Sequence, residues 1–202
     1  MINFTSFVRS AMLAAAMFLG AGAAVAGPMY HVTINTTSLA AAGNGQMDFS
    51  LMGLSTADLT SVKLSNFSGL FGAETDRVGD VADTAAGVEM SNSIDGMAWL
   101  TRAVTLGGSF GFDIGFADNF GGMDGVTFAV SLYNDDFSSY LGLDGPLVQF
   151  DLYPALGAEP SYLTISDNND FASVAEVPEP SQLLLMLIAL AMLGAVARRR
   201  SR

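Results

Sequence analysis

Cysteine is absent from the 202 residues, and histidine and tryptophan occur once each. The first absence excludes disulfides, thiolate nucleophiles and cysteine-ligated zinc. A lone histidine, His31, cannot build a zinc site of the usual His and Cys types. Basic residues are scarce too, 8 Lys and Arg against 20 Asp and Glu. Five of the eight, Arg9, Arg198, Arg199, Arg200 and Arg202, lie near the chain ends. The segment 27–176 therefore keeps only Lys63, Arg77 and Arg102 against 19 acidic side chains, a net charge of −16. That balance argues against nucleic acid or anionic lipid as partners, since both reward positive surface. It suits solubility outside the cell, with divalent cations as weak partners, and leaves stability to a hydrophobic core.

Long apolar runs occur only at the two ends. Arg9 precedes one from Ala11 to Ala24, and Ala24-Val25-Ala26 forms a small-residue cleavage site ahead of Gly27 and Pro28. Residues 1–26 are thus expected to be a signal peptide, with the mature chain starting at Gly27. At the other end stands Val177-Pro178-Glu179-Pro180, followed by 17 uncharged residues, 181–197, and then Arg198-Arg199-Arg200. A run of that length just spans a hydrocarbon core, where only a helix or a closed barrel satisfies the backbone. A transmembrane helix over 181–197 is expected, its arginines holding the C-terminus in the cytoplasm and the body outside. Pro178 and Pro180 keep the tetrapeptide extended and accessible.

This order of Pro178-Glu179-Pro180, hydrophobic helix and terminal arginines resembles the PEP-CTERM sorting signal of Gram-negative bacteria, over residues 177–202. The resemblance implies recognition and cleavage near the motif by the membrane enzyme exosortase, in cells that also make extracellular polysaccharide. It implies export through the inner membrane, transient anchoring, and a final place at the cell surface or in a biofilm matrix. Exosortase, the membrane and extracellular polysaccharide are the partners it suggests.

Between the ends the hydrophobic period is two. Tyr30, Val32 and Ile34 alternate with polar residues, as do Met47, Phe49 and Leu51; Val62 and Leu64; Phe110, Phe112, Ile114 and Phe116; Val126, Phe128, Val130 and Leu132; and Val148, Phe150 and Leu152. A short strand is expected from Tyr162 to Ile165. Turn clusters such as Gly43-Asn44-Gly45 and Asp144-Gly145-Pro146 separate these strands. Many short strands with Gly and Asp turns predict an all-β fold, a single jelly-roll-like β-sandwich over 27–170, with a linker at 171–176. One short helix is expected around Ser93 to Ala103, because Ile94, Met97 and Leu100 share a helical face. The run from Val104 through Phe112 to Tyr133 also looks like the bodies of short exported PEP-CTERM proteins with no assigned activity.

Chemistry-bearing motifs are thin. Gly107-Gly108-Ser109-Phe110-Gly111 fits G-x-S-x-G, but a strand pattern follows the serine where a hydrolase elbow needs a helix, and His31 lies upstream instead of downstream. A glycine turn leading into a strand is the reading adopted. His31 is expected to be a solvent-facing strand residue. With 19 carboxylates in the body, some pair lies at glycosidase spacing by chance, so Asp113 is a candidate only within a cleft. Calcium is a better use of loop oxygens, with Asp118 and Asp124, Asp135 and Asp136, and the Asp167 to Asp170 stretch as candidates; solvated acidic turns are the alternative. Trp99, Tyr133, Tyr140 and Tyr153 are candidate stacking platforms near acidic loops; for Trp99, beside Met97, Ala98 and Leu100, burial in the core is the favoured alternative. The sequence thus points to an exported, non-catalytic surface or matrix protein with a structural or adhesive role and no bound cofactor. A calcium-assisted carbohydrate-binding module comes second and a hydrolase using paired carboxylates third.

Overall fold

A computed structural model describes residues 27–54, 56–116, 122–157, 161–167 and 170–177. The helix expected over 181–197 lies outside them. Among the described residues no helix is long and apolar enough to cross a membrane. The body is all-β, as the alternation predicts. Eleven strands are described: β1 (Met29–Asn35), β2 (Asn44–Gly53), β3 (Ser61–Ser68), β4 (Phe71–Thr84), β5 (Gly87–Ser91), β6 (Met97–Thr105), β7 (Ser109–Phe116), β8 (Val126–Asn134), β9 (Val148–Tyr153), β10 (Tyr162–Asp167) and β11 (Ala172–Glu176). A short 3-10 helix, Thr37–Ala42, joins β1 to β2.

The strands form one sheet in the order β10-β9-β8-β2-β6-β4-β5-β3-β7-β1-β11, every ladder antiparallel. Its two halves face each other as a sandwich because the 14-residue β4 belongs to both. Phe71 to Gly79 pairs with β6, and Asp80 to Thr84 pairs with β5. The partner changes at Gly79, whose φ of +77° lies in the left-handed region. A Cβ there would stand 2.2 Å from the Met97 carbonyl oxygen, so only glycine lets β4 turn the corner this close to β6. The free edges, β10 and β11, approach each other, and the sheet nearly closes.

Inward positions of facing strands meet as rings. Phe49 of β2 packs edge-on against Phe112 of β7 at 5.1 Å, and Phe116 of β7 lies 5.2 Å from Phe150 of β9. Tyr30 of β1 reaches Phe150 at 5.5 Å, and Phe71 of β4 reaches Phe110 at 5.0 Å. Each such pair adds about 0.5–1.5 kcal/mol beyond burial. Val32, Met47, Leu64, Ile114, Phe128 and Val130 fill the space between, all buried.

Two expectations are corrected here. The segment from Ser93 to Ala103 is not a helix: a turn over 92–96 carries Asp95 and Gly96 at φ +53° and +74°, and β6 begins at Met97. Positive φ cannot continue a right-handed helix, and β6 buries Ala98 and Leu100 with strand spacing while Ile94 stays exposed. The stretch 171–176, expected as a linker, supplies β11, which pairs along β1 from Ile34↔Ala172 to Tyr30↔Glu176. The body therefore runs to the edge of the Pro-Glu-Pro motif.

Two substitutions test this architecture. Gly79→Ala is expected to lose more than about 2 kcal/mol in urea unfolding, since left-handed strain adds to a backbone clash. Phe112→Ala is expected to lose about 3–5 kcal/mol, the usual cost of emptying a packed aromatic site. A Gly79→Ala protein as stable as the parent would mean that β4 does not need its corner.

Candidate functional site

Three places on the body bring functional groups together. The first is the exit of the chain. Past β11, the Val177 N–H donates to the Met29 carbonyl at 2.8 Å, so the sheet holds the backbone up to the residue before Pro178. The start of the body lies alongside, because Met29 opens β1 two residues after Gly27. Burial, then the charge of Glu176, pushes the Tyr30 phenol up.

The second lies on the outer face of the β3-β7-β1 half. Asp113 of β7 is opposite His31 of β1 and Ser65 of β3. His31 Nδ1 and Asp113 Oδ1 are 2.5 Å apart, and Asn66 Nδ2 donates to Asp113 Oδ2 at 2.6 Å. Asn66 sits at φ +53° in a bulge of β3, which aims its amide across the sheet. Gly111, two residues before Asp113, leaves room for the neighbours. A Cβ at Gly111 would stand 2.7 Å from Ser68 Oγ and 3.4 Å from the His31 ring. The carboxylate thus ties three strands and orients the imidazole.

The third is the outer face of the β8-β2-β6-β4 half. Ser131, Asp48, Thr101 and Asp76 stand in one row across β8, β2, β6 and β4, with Tyr133 and Gln46 in a neighbouring row and Ser50, Trp99 and Val78 in the row on the other side. Outward positions are usually wet, yet Gln46, Thr101 and Ser131 are only 6%, 2% and 5% exposed. Their polar atoms are engaged within the face: Thr101 Oγ1 donates to Asp48 Oδ1 at 2.7 Å and Thr75 Oγ1 to Gln46 Oε1 at 2.9 Å. The Gln46 amide reaches Asp135 Oδ1 at 3.5 Å. At one end Tyr140 folds back from the loop after β8 and stacks on Tyr133, ring centres 4.5 Å apart. At the other end Trp99 Nε1 donates to Asp76 Oδ2 at 3.0 Å. Burial, then the bond to Tyr140, pushes the Tyr133 phenol up to about 12. Asp48 is also pushed up, by burial first and by the charge of Asp76 in addition, while the Thr101 hydroxyl works the other way.

Comparison with known proteins bears on the first place. Residues 176–201 match the profile of the PEP-CTERM protein-sorting motif. The C-terminus is a PEP-CTERM sorting signal. It marks an exported chain targeted to exosortase and then to the surface, as the resemblance at Pro178-Glu179-Pro180 implies. No curated protein and no solved structure shows a significant match to the chain.

Of the residues singled out for sorting, Val177 is placed at the mouth of the sheet. Pro178, Glu179, Pro180, Arg198, Arg199 and Arg200 lie outside the described residues, as do Ala24 and Ala26 at the other end. Gly27 opens the described body. Among the calcium candidates, Asp118 lies outside the described residues and Asp124 is half-buried beside Gly125. Asp136 is exposed, and bonds from Ser138, the hydroxyl first and then the N–H at 3.0 Å, lower its pKa. Among the described residues no group of three His, Asp or Glu side chains converges to hold a metal ion. Ser109 opens β7 after a turn pinned by Thr36, whose hydroxyl donates to the Gly108 carbonyl and accepts from the Gly107 N–H; His31 is paired with Asp113 instead. Trp99 departs from the expectation of burial, because its register position on β6 points out of the sandwich. Sequence reasoning missed Asp48 and the His31–Asp113–Asn66 set. The signal for Asp48 was its place between inward Met47 and Phe49.

The pH dependence of Asp48 follows from its direction of shift. A carboxyl whose folded pKa is raised binds its proton more tightly in the folded state, so its contribution is most favourable below the unfolded value of 3.8 and is lost as pH rises through the raised one. Asp48→Asn removes that loss while keeping an acceptor for Thr101. In urea melts the variant is expected to be more stable than the parent at about pH 7, and the gap to narrow or reverse at about pH 3. A gap that is constant across pH would show that Asp48 titrates as it does in the unfolded chain.

Proposed function

We propose that this chain is an exosortase-processed protein of the cell surface or extracellular matrix whose β body is non-catalytic and serves a structural or adhesive role. The observation that carries the reading is the junction at Val177. Among the described residues the last backbone hydrogen bond of the sheet, Val177 N–H to Met29 O, lies one residue before Pro178, so a cut anywhere beyond it leaves every described strand in place. Processing then delivers an intact domain. The adhesive part rests on the third place described above, where Trp99 and Tyr133 are half-exposed, Tyr140 is exposed, and Met52 and Met97 are exposed near Trp99. A face of that composition suits contact with another surface. The signal peptide at 1–26 belongs to the same reading.

The test separates processing from folding. In Pro178→Ala/Pro180→Ala the thermal transition of the body should stay within about 1 °C of the parent, since surface changes away from packed features usually move stability little. Full-length, membrane-bound precursor should accumulate in exporting cells, as it should for the parent chain in cells without exosortase. Normal processing of the double variant would overturn the reading.

A further inference from the structure

We propose that the outer face of the β8-β2-β6-β4 half binds a neutral polysaccharide chain, with Asp48 at the centre and Tyr133 and Trp99 towards the two ends. The proposal rests on the adhesive reading above and names what the body would adhere to.

Tyr133 stands opposite Gln46 on one side of β2, and Trp99 stands opposite Ser50 on the other, four residues along that strand. With strands about 4.8 Å apart and a rise of about 3.3 Å per residue, the two aromatic positions are about 16 Å apart on a diagonal across the sheet. That is a length for several sugar rings. The register positions between them, Ser50, Ala129 and Ser131, carry small side chains, which keeps the floor low. A pyranose has a C–H face that packs on an aromatic ring and a rim of hydroxyls that donate and accept. Here Trp99 stands at one end, the stack of Tyr140 on Tyr133 at the other, and a carboxylate acceptor lies between them. The Thr101 hydroxyl holds one oxygen of Asp48, and Thr75 and Asp135 hold the amide of Gln46, so the floor is set before a ligand arrives. Burial, with the charge of Asp76 in addition, raises the pKa of Asp48 and disfavours its charge, a cost expected where a buried acceptor serves a partner.

Charge decides between neutral and anionic chains. Asp48, Asp76 and Asp135 all border the face. The nearest cations are committed elsewhere: Arg77 pairs with Glu74 and Asp83, and Arg102 lies over the rings of Phe67 and Phe71. An acidic polysaccharide would be repelled. A basic peptide would be attracted through charge alone, so its binding would fall as salt is raised.

The chain's only tryptophan lies in the site, so its emission reports occupancy directly. Full-length protein in a detergent without a sugar headgroup is titrated with neutral β-glucan, xylan and mannan hexasaccharides. A saturable change in Trp99 emission is expected with at least one of them and should persist as salt is raised. Asp48→Asn should weaken it by at least about tenfold, the worth of a hydrogen bond to a charged group. Tyr162→Ala, on the β10 edge, should leave it unchanged, and unaltered far-UV dichroism in both variants checks the fold. No response to any of the three sugars, an undiminished response in Asp48→Asn, or a response confined to alginate or polylysine and lost in salt would each overturn the proposal. Processing of the Pro178→Ala/Pro180→Ala chain is read separately, so loss of sugar binding leaves the surface-protein reading standing, and the reverse holds too.

Discussion

A strand that begins paired with one half of a sheet and ends paired with the other imposes an order on everything around it. In this body β4 is that strand, and Gly79 is the residue at which it changes partners. With β4 shared, the inward side chains of β2, β8 and β9 must face those of β1, β3 and β7, and the phenylalanines meet edge to face instead of lying in two separate layers. The same bend puts the remaining residues of each strand outside, and so decides which of them can form a site.

The strand pattern made most of this legible. Where one face is buried the period of two is strict, and Met47, Phe49 and Leu51 or Phe110, Phe112 and Ile114 announce both their strands and their inward direction. β4 announces nothing, because none of its 14 residues is fully buried and its sequence reads as polar loop. β6 was obscured by a coincidence of spacing among Ile94, Met97 and Leu100, which two residues of positive φ resolve in favour of a turn and a strand. β11 is short and half-polar, and only its ladder to β1 makes it a strand. The candidate sites were harder to read than the fold. His31 and Asp113 are 82 residues apart, and Asn66 and Asp113 are 47 apart; register, which no local pattern encodes, brings them together. The sorting signal was readable at once because it acts as a linear string.

The two outer faces differ in what their polar groups do. On the β3-β7-β1 side a carboxylate bridges His31 and Asn66, both satisfied by it, which reads as cross-strand stitching. On the β8-β2-β6-β4 side hydroxyls and amides are buried at positions where a sheet normally meets water, and a carboxylate sits among them with its charge disfavoured. Local arrangements that oppose stability persist in proteins mainly where they serve something else.

The ladder between β1 and β11 also has a meaning in time. β1 comes early in the body and β11 is the last described strand, its final residue Glu176 being the first of the sorting-motif match. Until residues 172–176 have emerged, the outer edge of β1 offers a row of unpaired N–H and C=O groups, which is a template for any neighbouring strand. The segment next to the sorting signal is thus the one that covers the β1 edge, and with it the free edge of the sheet passes to β11, beside β10.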